Sequence, residues 1–311
     1  MSRATARGYR VAFLAEVTQG TTPVTAPTLL RTTGGGMSVA ASSGESEEVQ
    51  LVEVPDVIRT NVEGTGTINF EYSYGGIHPL LEGLFASTWT TNVLRVGSTL
   101  RTFTIEDQFT DISRFLTARG CIIESISITL QQGSKITGTI TYRALTPPTA
   151  FATATVFGAA PTAAPTNPIM SPVGSVQLIQ EAGSLNLGPA GIGTLGMTIN
   201  MTRQGIAMPQ VGTTALAGLD QGTFVCTGTL SLYVPIGATA IIDKYLSDTS
   251  TQLALTLGGA STLRDAYLFS NVKLTEGVIG EMSRNSPDNL NLSWQALASS
   301  PNTTVQITRT P

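Results

Sequence analysis

Few side chains in this sequence have the chemistry of an active site, since it contains one histidine and two cysteines. A nucleophilic triad would use His78 as its base. Pro79 follows His78 and leucines recur after it at helical spacing, so we expect a structural histidine at the start of a helix. Cys121 and Cys226 lie in strand-like segments and are expected to be buried, with too few ligands for a zinc site.

Two further patterns resemble functional motifs. Glycines within residues 191–196 have the spacing of a dinucleotide-binding fingerprint, but a strand pattern follows them where that motif requires a helix. Glu45, Glu47 and Glu48 are adjacent acids in a loop, which lack the converging geometry of metal ligands or of an acid–base pair. The sequence therefore predicts no enzyme, no cofactor and no metal site.

The composition is typical of a β protein that hides much of its surface. Charged residues make up 12% of the chain, about half the usual share. Glycine and proline contribute 32 and 16 residues, which indicates many turns. The net charge is −4, so an extended basic surface for DNA is lacking. The N-terminal MSRATARG carries charge but does not lead into an apolar core region followed by a small-residue cleavage site, so we expect no secretory signal and synthesis in the cytoplasm.

Apolar and polar residues alternate along several segments and predict strands. Ile68, Phe70 and Tyr72 alternate with polar residues, and so do Leu290 and Leu292 in the second half. Helical spacing occurs only in two short segments, at 77–86 and 240–247. The predicted fold class is mainly β, with tandem β-sandwich domains that each carry one short flanking helix.

A tandem duplication is indicated by matching residues in the two halves. The tripeptide Thr-Gly-Thr occurs at 65–67 and again at 227–229, which is a separation of 162, and Met37 and Met197 open similar strands 160 apart. Residues 144–180 contain six prolines and no charged residue, which indicates a linker. A membrane-spanning helix would not contain so many prolines. The predicted units are an N-terminal arm and first strand region (1–36), a first sandwich (37–146), a linker (147–180) and a second sandwich (181–311).

Two long loops occupy matching places in the halves, at 42–63 and 203–222. The first is strongly acidic and the second is mainly apolar or amide. Loops of this length are usually functional or disordered, so we expect either solvated tips or contacts between subunits. The residues expected in such contacts are Glu45, Glu47, Glu48, Glu53, Asp56, Arg203, Ile206 and Met208. The basic N-terminal arm, with Arg3, Arg7 and Arg10, is a candidate partner for the acidic loop.

A protein with many strands and little charge must cover its strand edges, and self-association does this. Strands that close into a barrel shared between subunits leave no edge, so the residues favour a structural subunit. A capsid or decoration protein is the alternative, although it would not need two matched long loops. An outer-membrane barrel or a secreted adhesin would need the missing signal.

A series of segments along the chain carries a further signal: Glu16 with the segment 20–23, VEVPDVIRTNVEGTGTINFEYSY (52–74), HPLLEGLF (78–85), FTIEDQFTD (103–111), ITGTITYRA (136–144) and LNLSWQALAS (290–299). Together these segments resemble the tail tube protein of long-tailed, non-contractile bacteriophages (siphophages). The likeness covers most of residues 10–146 and is looser, in the same order, through the second half.

The resemblance implies a virion tail component, made in the host bacterium, whose inner strands form a continuous barrel in stacked rings that conduct DNA. It also implies contacts with a tape-measure protein and with tail terminator and distal tail proteins. Two copies in one chain favour a homotrimeric, pseudo-hexameric ring, and a true hexamer with the second half outside is the alternative. The residues expected to face the lumen are Thr65, Thr67, Asn69, Glu71, Thr198, Asn200, Thr227, Thr229 and Ser231.

Overall fold

A computed structural model of the chain consists mainly of antiparallel strands, which confirms the predicted mainly β class. Its helices are few and short, and the predicted segments 77–86 and 240–247 are helical at His78–Phe85 and Thr239–Leu246. The structure describes residues 3–46, 53, 56–181, 185–187, 193–233, 239–259, 262–279, 289–300 and 304–311.

Each half of the chain contains a similar series of elements. Those of the first half are β1 (Tyr9–Ala15), β2 (Thr28–Leu30), β3 (Thr32–Glu45), β4 (Val57–Glu71), α1 (His78–Phe85), β5 (Val93–Arg95), β6 (Phe103–Phe109), β7 (Arg114–Gln131) and β8 (Thr137–Ala144). Those of the second half are α2 (Pro172–Ser175), β9 (Val176–Glu181), β10 (Leu185–Asn186), β11 (Thr194–Pro209), β12 (Leu216–Tyr233), α3 (Thr239–Leu246), β13 (Thr251–Gly258), β14 (Arg264–Ile279), β15 (Asn289–Ala296) and β16 (Gln306–Thr310).

The two halves have the same strand order. Hydrogen-bonded neighbours run β3-β4-β8-β7-β6-β1-β2 in the first half and β11-β12-β15-β14-β13-β9-β10 in the second. Strand β7 pairs with β6 through its first part and with β8 through its second part, and Gly120 lies in the bulge near the end of the β6 pairing, at φ +62°. That left-handed conformation favours glycine and lets the strand bend from one sheet layer into the other.

Strand registers show the duplication in detail. Gly66 lies opposite Tyr142, and Gly228 lies opposite Trp294. A Cβ at either glycine would overlap the facing aromatic ring, so both halves use glycine where an aromatic side chain crosses the strand. The separation of 162 between the Thr-Gly-Thr tripeptides therefore holds, whereas the match of Met37 with Met197 is wrong by two residues.

The β-bulges repeat as well. Ser43 pairs with Arg59 just beyond the bulge in the first half, as Gly205 pairs with Gln221 in the second, again 162 residues apart. In β7 and β14 a bulge follows Ile123 and Leu274, which are 151 residues apart. With these separations, β11 corresponds to β3 and β14 corresponds to β7.

The predicted long loops are mostly strand. Paired strands β3–β4 and β11–β12 form two long hairpins, whose connections shorten to about residues 46–56 and 210–215. Both faces of the outer part of the first hairpin are exposed, so its residues do not alternate between apolar and polar. Alternation is the signal that identifies a half-buried strand, which explains why the sequence predicted loops.

The proline-rich stretch lies against the first half. Thr155 and Val156 hydrogen-bond to Glu106, and the backbone of Met170 bonds to Tyr72 and Ile136. Phe157 is buried. The segment is therefore held by side-chain and backbone bonds, while the predicted domain boundaries at 147 and 180 stay a prediction. Within the described residues, no helix has the length and apolar character to cross a membrane.

Candidate assembly surfaces

A polar face extends across strands of both halves. Strands β7 and β11 pair antiparallel, with Thr129 opposite Thr198 and Ser127 opposite Asn200, which joins the halves in one sheet. The apolar neighbours on these strands, such as Ile128 and Ile199, point the other way and are buried. Alternation along each strand therefore separates a core face from a hydroxyl- and amide-rich face.

All the residues predicted to face the lumen lie on this polar face, and together they form cross-strand rows. One row runs through Glu71, Thr137, Thr129, Thr198, Thr229, Ser293 and Glu276, and the next runs through Asn69, Thr139, Ser127, Asn200, Thr227 and Gln295. Thr65 and Thr67 continue the same face of β4, and Ser231 continues that of β12. The structure thus brings these residues together, while their position in a lumen stays a prediction.

Hydrogen bonds within the face hold its side chains in place. The hydroxyls of Thr198 and Thr229 lie 2.7 Å apart, and Thr139 donates to Asn69 Oδ1 at 2.9 Å. Cations beside these rows are paired with carboxylates: Lys135 Nζ lies 2.6 Å from Glu71, Lys273 Nζ lies 2.8 Å from Asp248, and Arg143 Nε lies 3.1 Å from Glu124. These pairs weaken the attraction of the face for a polyanion.

The second hairpin packs against the first half of its own chain. Arg203 donates to the carbonyls of Phe85 and Gly97 at 3.2 and 3.1 Å, and its burial lowers the pKa of its guanidinium despite nearby Asp220. The Phe224 ring lies 5.1 Å from that of Phe85. These contacts cover the end of α1.

Gln221 and Gly205 strengthen the same contact. The Gln221 side-chain amide donates to the carbonyls of Gly83 and Ile123 at 3.0 and 3.1 Å, and the Gly205 N–H donates to Glu124 at 2.9 Å. Sequence reasoning missed Gln221, because an amide in an apparent loop gives no pattern. The structure thus places Arg203 inside the chain's own fold, whereas Ile206 and Met208 farther along are about half exposed.

The first hairpin has no such cover within the described residues. Glu45, Glu53 and Asp56 are exposed near its tip, and so are Val57 and Ile58. The Ser46 N–H donates to the Asp56 carbonyl at 3.0 Å, which extends the pairing of β3 with β4 by one step. Glu47 and Glu48 lie outside the described residues. The predicted intersubunit role of these acids stays a prediction.

The N-terminal residues fold back on the first half. The Thr5 N–H donates to Asp111, and Gly8 packs against the same carboxylate. Arg3, Arg7 and Arg10 remain exposed. Their predicted contact with an acidic loop of another subunit is not among the contacts of the described chain and stays a prediction.

A buried polar cluster joins the halves away from the polar face. His78 Nε2 lies 2.9 Å from Asp265 Oδ1, and Tyr72 donates to Asp265 Oδ2 at 2.8 Å. The Tyr72 and Tyr267 hydroxyls are 2.7 Å apart, and burial raises the pKa of both. The His78 ring contacts that of Trp89, 5.0 Å away. His78 is thus a buried structural partner, and no local sequence pattern points to Asp265 as its acceptor.

Other motifs are structural where they are described. Burial raises the pKa of the Cys121 and Cys226 thiols, which favours the unreactive protonated form. Gly193 leads directly into β11, as expected for a turn before a strand, while Gly191 lies outside the described residues. Among the described residues, no three histidine, cysteine, aspartate or glutamate side chains group as metal ligands.

Comparison with known proteins agrees with this architecture. The family model described as phage tail tube protein matches residues 8–303, nearly the whole chain. The chain belongs to the phage tail tube protein family. A search of curated proteins finds no match. The family match confirms the resemblance carried by the first half and extends it through both halves. A phage tail tube protein is a structural component of the virion tail that associates with itself in a tube.

Proposed function

We propose that this phage tail tube protein assembles into rings, which stack to form the conduit through which DNA leaves the virion. The observation that carries the proposal is the pairing of β7 with β11, which makes one sheet from two matching halves. A sheet that extends by adding equivalent strands needs further copies to remove its remaining edges. This role belongs to the tail of a long-tailed phage with a non-contractile tail and involves no catalysis.

The ring that fits a duplicated chain best is a homotrimer with six similar units. Each half contributes the same four neighbouring strands, β3-β4-β8-β7 or β11-β12-β15-β14, so the halves are suited to alternate around one channel. A hexamer with the second half outside would leave the polar face of β11, β12 and β15 away from the channel. The shared sheet favours the trimer.

The polar face is the proposed lining of the channel. Its hydroxyls and amides hydrate well, and the neighbouring cations are paired with carboxylates. DNA carries about one negative charge per 1.7 Å of its axis, so an unpaired arginine lining would retain it. A hydrated wall whose described cations are paired in this way lets DNA pass.

The hairpin tips are the proposed contacts between successive rings. Ile206 and Met208 are half exposed, as are Val57 and Ile58, and their burial would favour stacking at about 25 cal/mol per Å². The acids around the first tip need basic or polar partners, for which the N-terminal arginines are suited. A tape-measure protein inside the tube, and terminator and distal tail proteins at its ends, complete the proposed partners.

Negative-stain electron microscopy of the expressed chain, with mass measurement of any rings, tests the proposal. We expect stacked rings with an open channel and a ring mass of three chains of 32.5 kDa each. A reconstruction of the tube would also locate the polar face and the hairpin tips. Six chains per ring would overturn the trimer alone, and a chain that forms no rings would overturn the assembly.

A further inference from the structure

We infer that a second copy of this chain docks head to tail on the first, by repeating the contact that joins the two halves. Strand β3 of one copy adds to the free edge of β14 in the next, and the β3–β4 hairpin covers α3 of that next copy. The inference rests on the proposed ring assembly and specifies its interface.

The template is the contact within the chain. It consists of the β7–β11 strand pairing and of the β11–β12 hairpin packed over α1 through Phe224 and Gln221. Because β3 corresponds to β11 and β14 corresponds to β7, the same contact requires β3 and β14 from two different copies. One chain therefore has one half of the interface at each end.

Both matching surfaces are bare in the single chain. Among the described residues, β3 pairs with β4 alone, and the part of β14 after its bulge pairs with β15 alone. Val39 is 45% exposed, whereas Met201 at the matching position of β11 is fully buried. Exposed strand edges of this kind are sites of pairing with another chain.

The helices differ in the same way. Phe85 at the end of α1 is fully buried beneath the second hairpin, whereas Leu246 at the end of α3 is 73% exposed. Residues from Leu81 to Phe85 are each more buried than their counterparts from Ile242 to Leu246. The cover that α1 receives from β11–β12 is what α3 lacks.

The hairpin that would supply this cover presents a suitable donor. Arg59 is exposed and occupies the place of Gln221, whose side-chain amide donates to the carbonyl of Ile123. Leu274 corresponds to Ile123 and precedes the matching bulge. The Arg59 guanidinium of one copy is therefore positioned to donate to the Leu274 carbonyl of the next, as a charged replacement for the amide.

The register of the new pair follows from the old one. Ile126 lies opposite Met201 and Ser125 opposite Thr202. Transferring both strands to their counterparts places Gly277 opposite Val39 and Glu276 opposite Ala40. The backbone N–H of Gln132 donates to the carbonyl of Leu195, so these two residues form a hydrogen-bonded pair. Hydrogen-bonded and non-hydrogen-bonded pairs alternate along antiparallel strands, which makes Ser125–Thr202 a non-hydrogen-bonded pair with close side chains. Ala40 and Glu276 then have the same relation.

One edge group of β3 already has a partner in the single chain. The Met37 N–H donates to Asp107 Oδ2 at 3.0 Å, which masks that point of the edge. Its counterpart Ile199 forms a hydrogen-bonded pair with Ile128 of β7. In the docked copies, Met37 exchanges the carboxylate for the carbonyl of Ile279 in the neighbour.

The contact uses different surfaces on the two copies, so it is heterologous and continues until a ring closes or a filament forms. With three chains it gives six similar sheets around one axis. The alternation of halves proposed for the ring then follows from one repeated interface, used once inside each chain and once between chains.

Disulfide cross-linking tests the register. The double variant Ala40→Cys/Glu276→Cys is oxidised after assembly and run on a denaturing, non-reducing gel, beside images of the wild-type rings. We expect covalent multiples that stop at three chains, since opposite non-hydrogen-bonded residues meet the geometry of a disulfide. The native Cys121 and Cys226 are buried in the folded chain, and blocking free thiols before denaturation keeps them from contributing background.

Two matched variants complete the experiment. Ser125→Cys/Thr202→Cys should oxidise within one chain without a gain in mass, which reports the template pair. Ser42→Cys/Glu276→Cys is shifted by two residues, to a diagonal spacing of about 7–8 Å, and should cross-link at least tenfold less. Rings without the 40–276 cross-link overturn this contact but leave the tube. A chain with neither rings nor the cross-link overturns both proposals.

Discussion

The β11–β12 hairpin packs against α1 and β7, whereas the β3–β4 hairpin extends from the chain with its matching residues exposed. Their registers and bulges agree, so local sequence and strand pairing do not explain the difference. What differs is whether the next half belongs to the same chain. In a duplicated protein, the contact that one half makes inside the chain therefore indicates which partner the matching exposed surface of the other half lacks. Here, within the described residues, β11–β12 has that partner and β3–β4 does not.

The ends of α1 and α3 allow the largest test of this comparison. Phe85→Ala should lower the free energy of unfolding by about 3–5 kcal/mol, because it leaves a cavity beneath Phe224. Leu246→Ala should change it by less than about 0.5 kcal/mol in the single chain, because Leu246 is exposed. Urea unfolding of the unassembled protein measures both, and equal losses would show that the two helices have similar cover.

The buried cluster between the halves gives a second test, since it joins β14 to the first half and the matching residue of β7 is not an acid. Arg114, which corresponds to Asp265, is exposed. Asp265→Ala leaves His78 and the Tyr72 hydroxyl without their acceptor and should cost about 3–5 kcal/mol. Asp265→Asn retains one acceptor and should cost less. Calorimetric unfolding would contradict this if the alanine variant matched the wild type.

The paired glycines test the part of the comparison in which the halves agree. Gly66→Ala and Gly228→Ala each push a methyl group into the facing Tyr142 or Trp294 ring, so both should destabilise by about 1–3 kcal/mol. Gly36→Ala is the control, because no atom lies near the added Cβ. The unfolding temperature of the control should equal or exceed that of the wild type. A lower unfolding temperature for only one of the two paired variants would contradict the equivalence of Gly66 and Gly228.

Sequence reasoning was most successful where one side of a strand is buried. The alternation at Ile68 and Phe70 and the Thr-Gly-Thr repeats predicted the strands and the duplication, and family likeness predicted the tail tube protein. The hairpins were missed because their outer parts have no buried face. The Asp265 cluster was missed because its partners are about 190 residues apart. Burial and long-range pairing supply this information, and neither has a local pattern.

The edge of β3 gives the smallest and most specific test. Burial raises the pKa of Asp107 above its ordinary 3.8, although the N–H of Met37 and the hydroxyl of Tyr9 donate to its carboxylate and oppose the shift. The folded chain therefore holds this proton more tightly than the unfolded chain. Stability from this group is present below the ordinary pKa and is lost as pH rises through the raised pKa.

Asp107→Asn removes this titration and keeps a side-chain oxygen for the Met37 N–H. The wild type should thus lose stability relative to the variant as pH rises from about 4 towards neutrality, by about 1.4 kcal/mol for each unit of pKa shift. Urea unfolding of both proteins at several pH values isolates the difference, because the other titrating groups are shared. If the difference in free energy of unfolding between the two proteins did not change with pH, the pKa of Asp107 would be the same in the folded and unfolded chains. Asp107 would then be hydrated rather than buried against the Met37 N–H, and this part of the β3 edge would be as open as the rest.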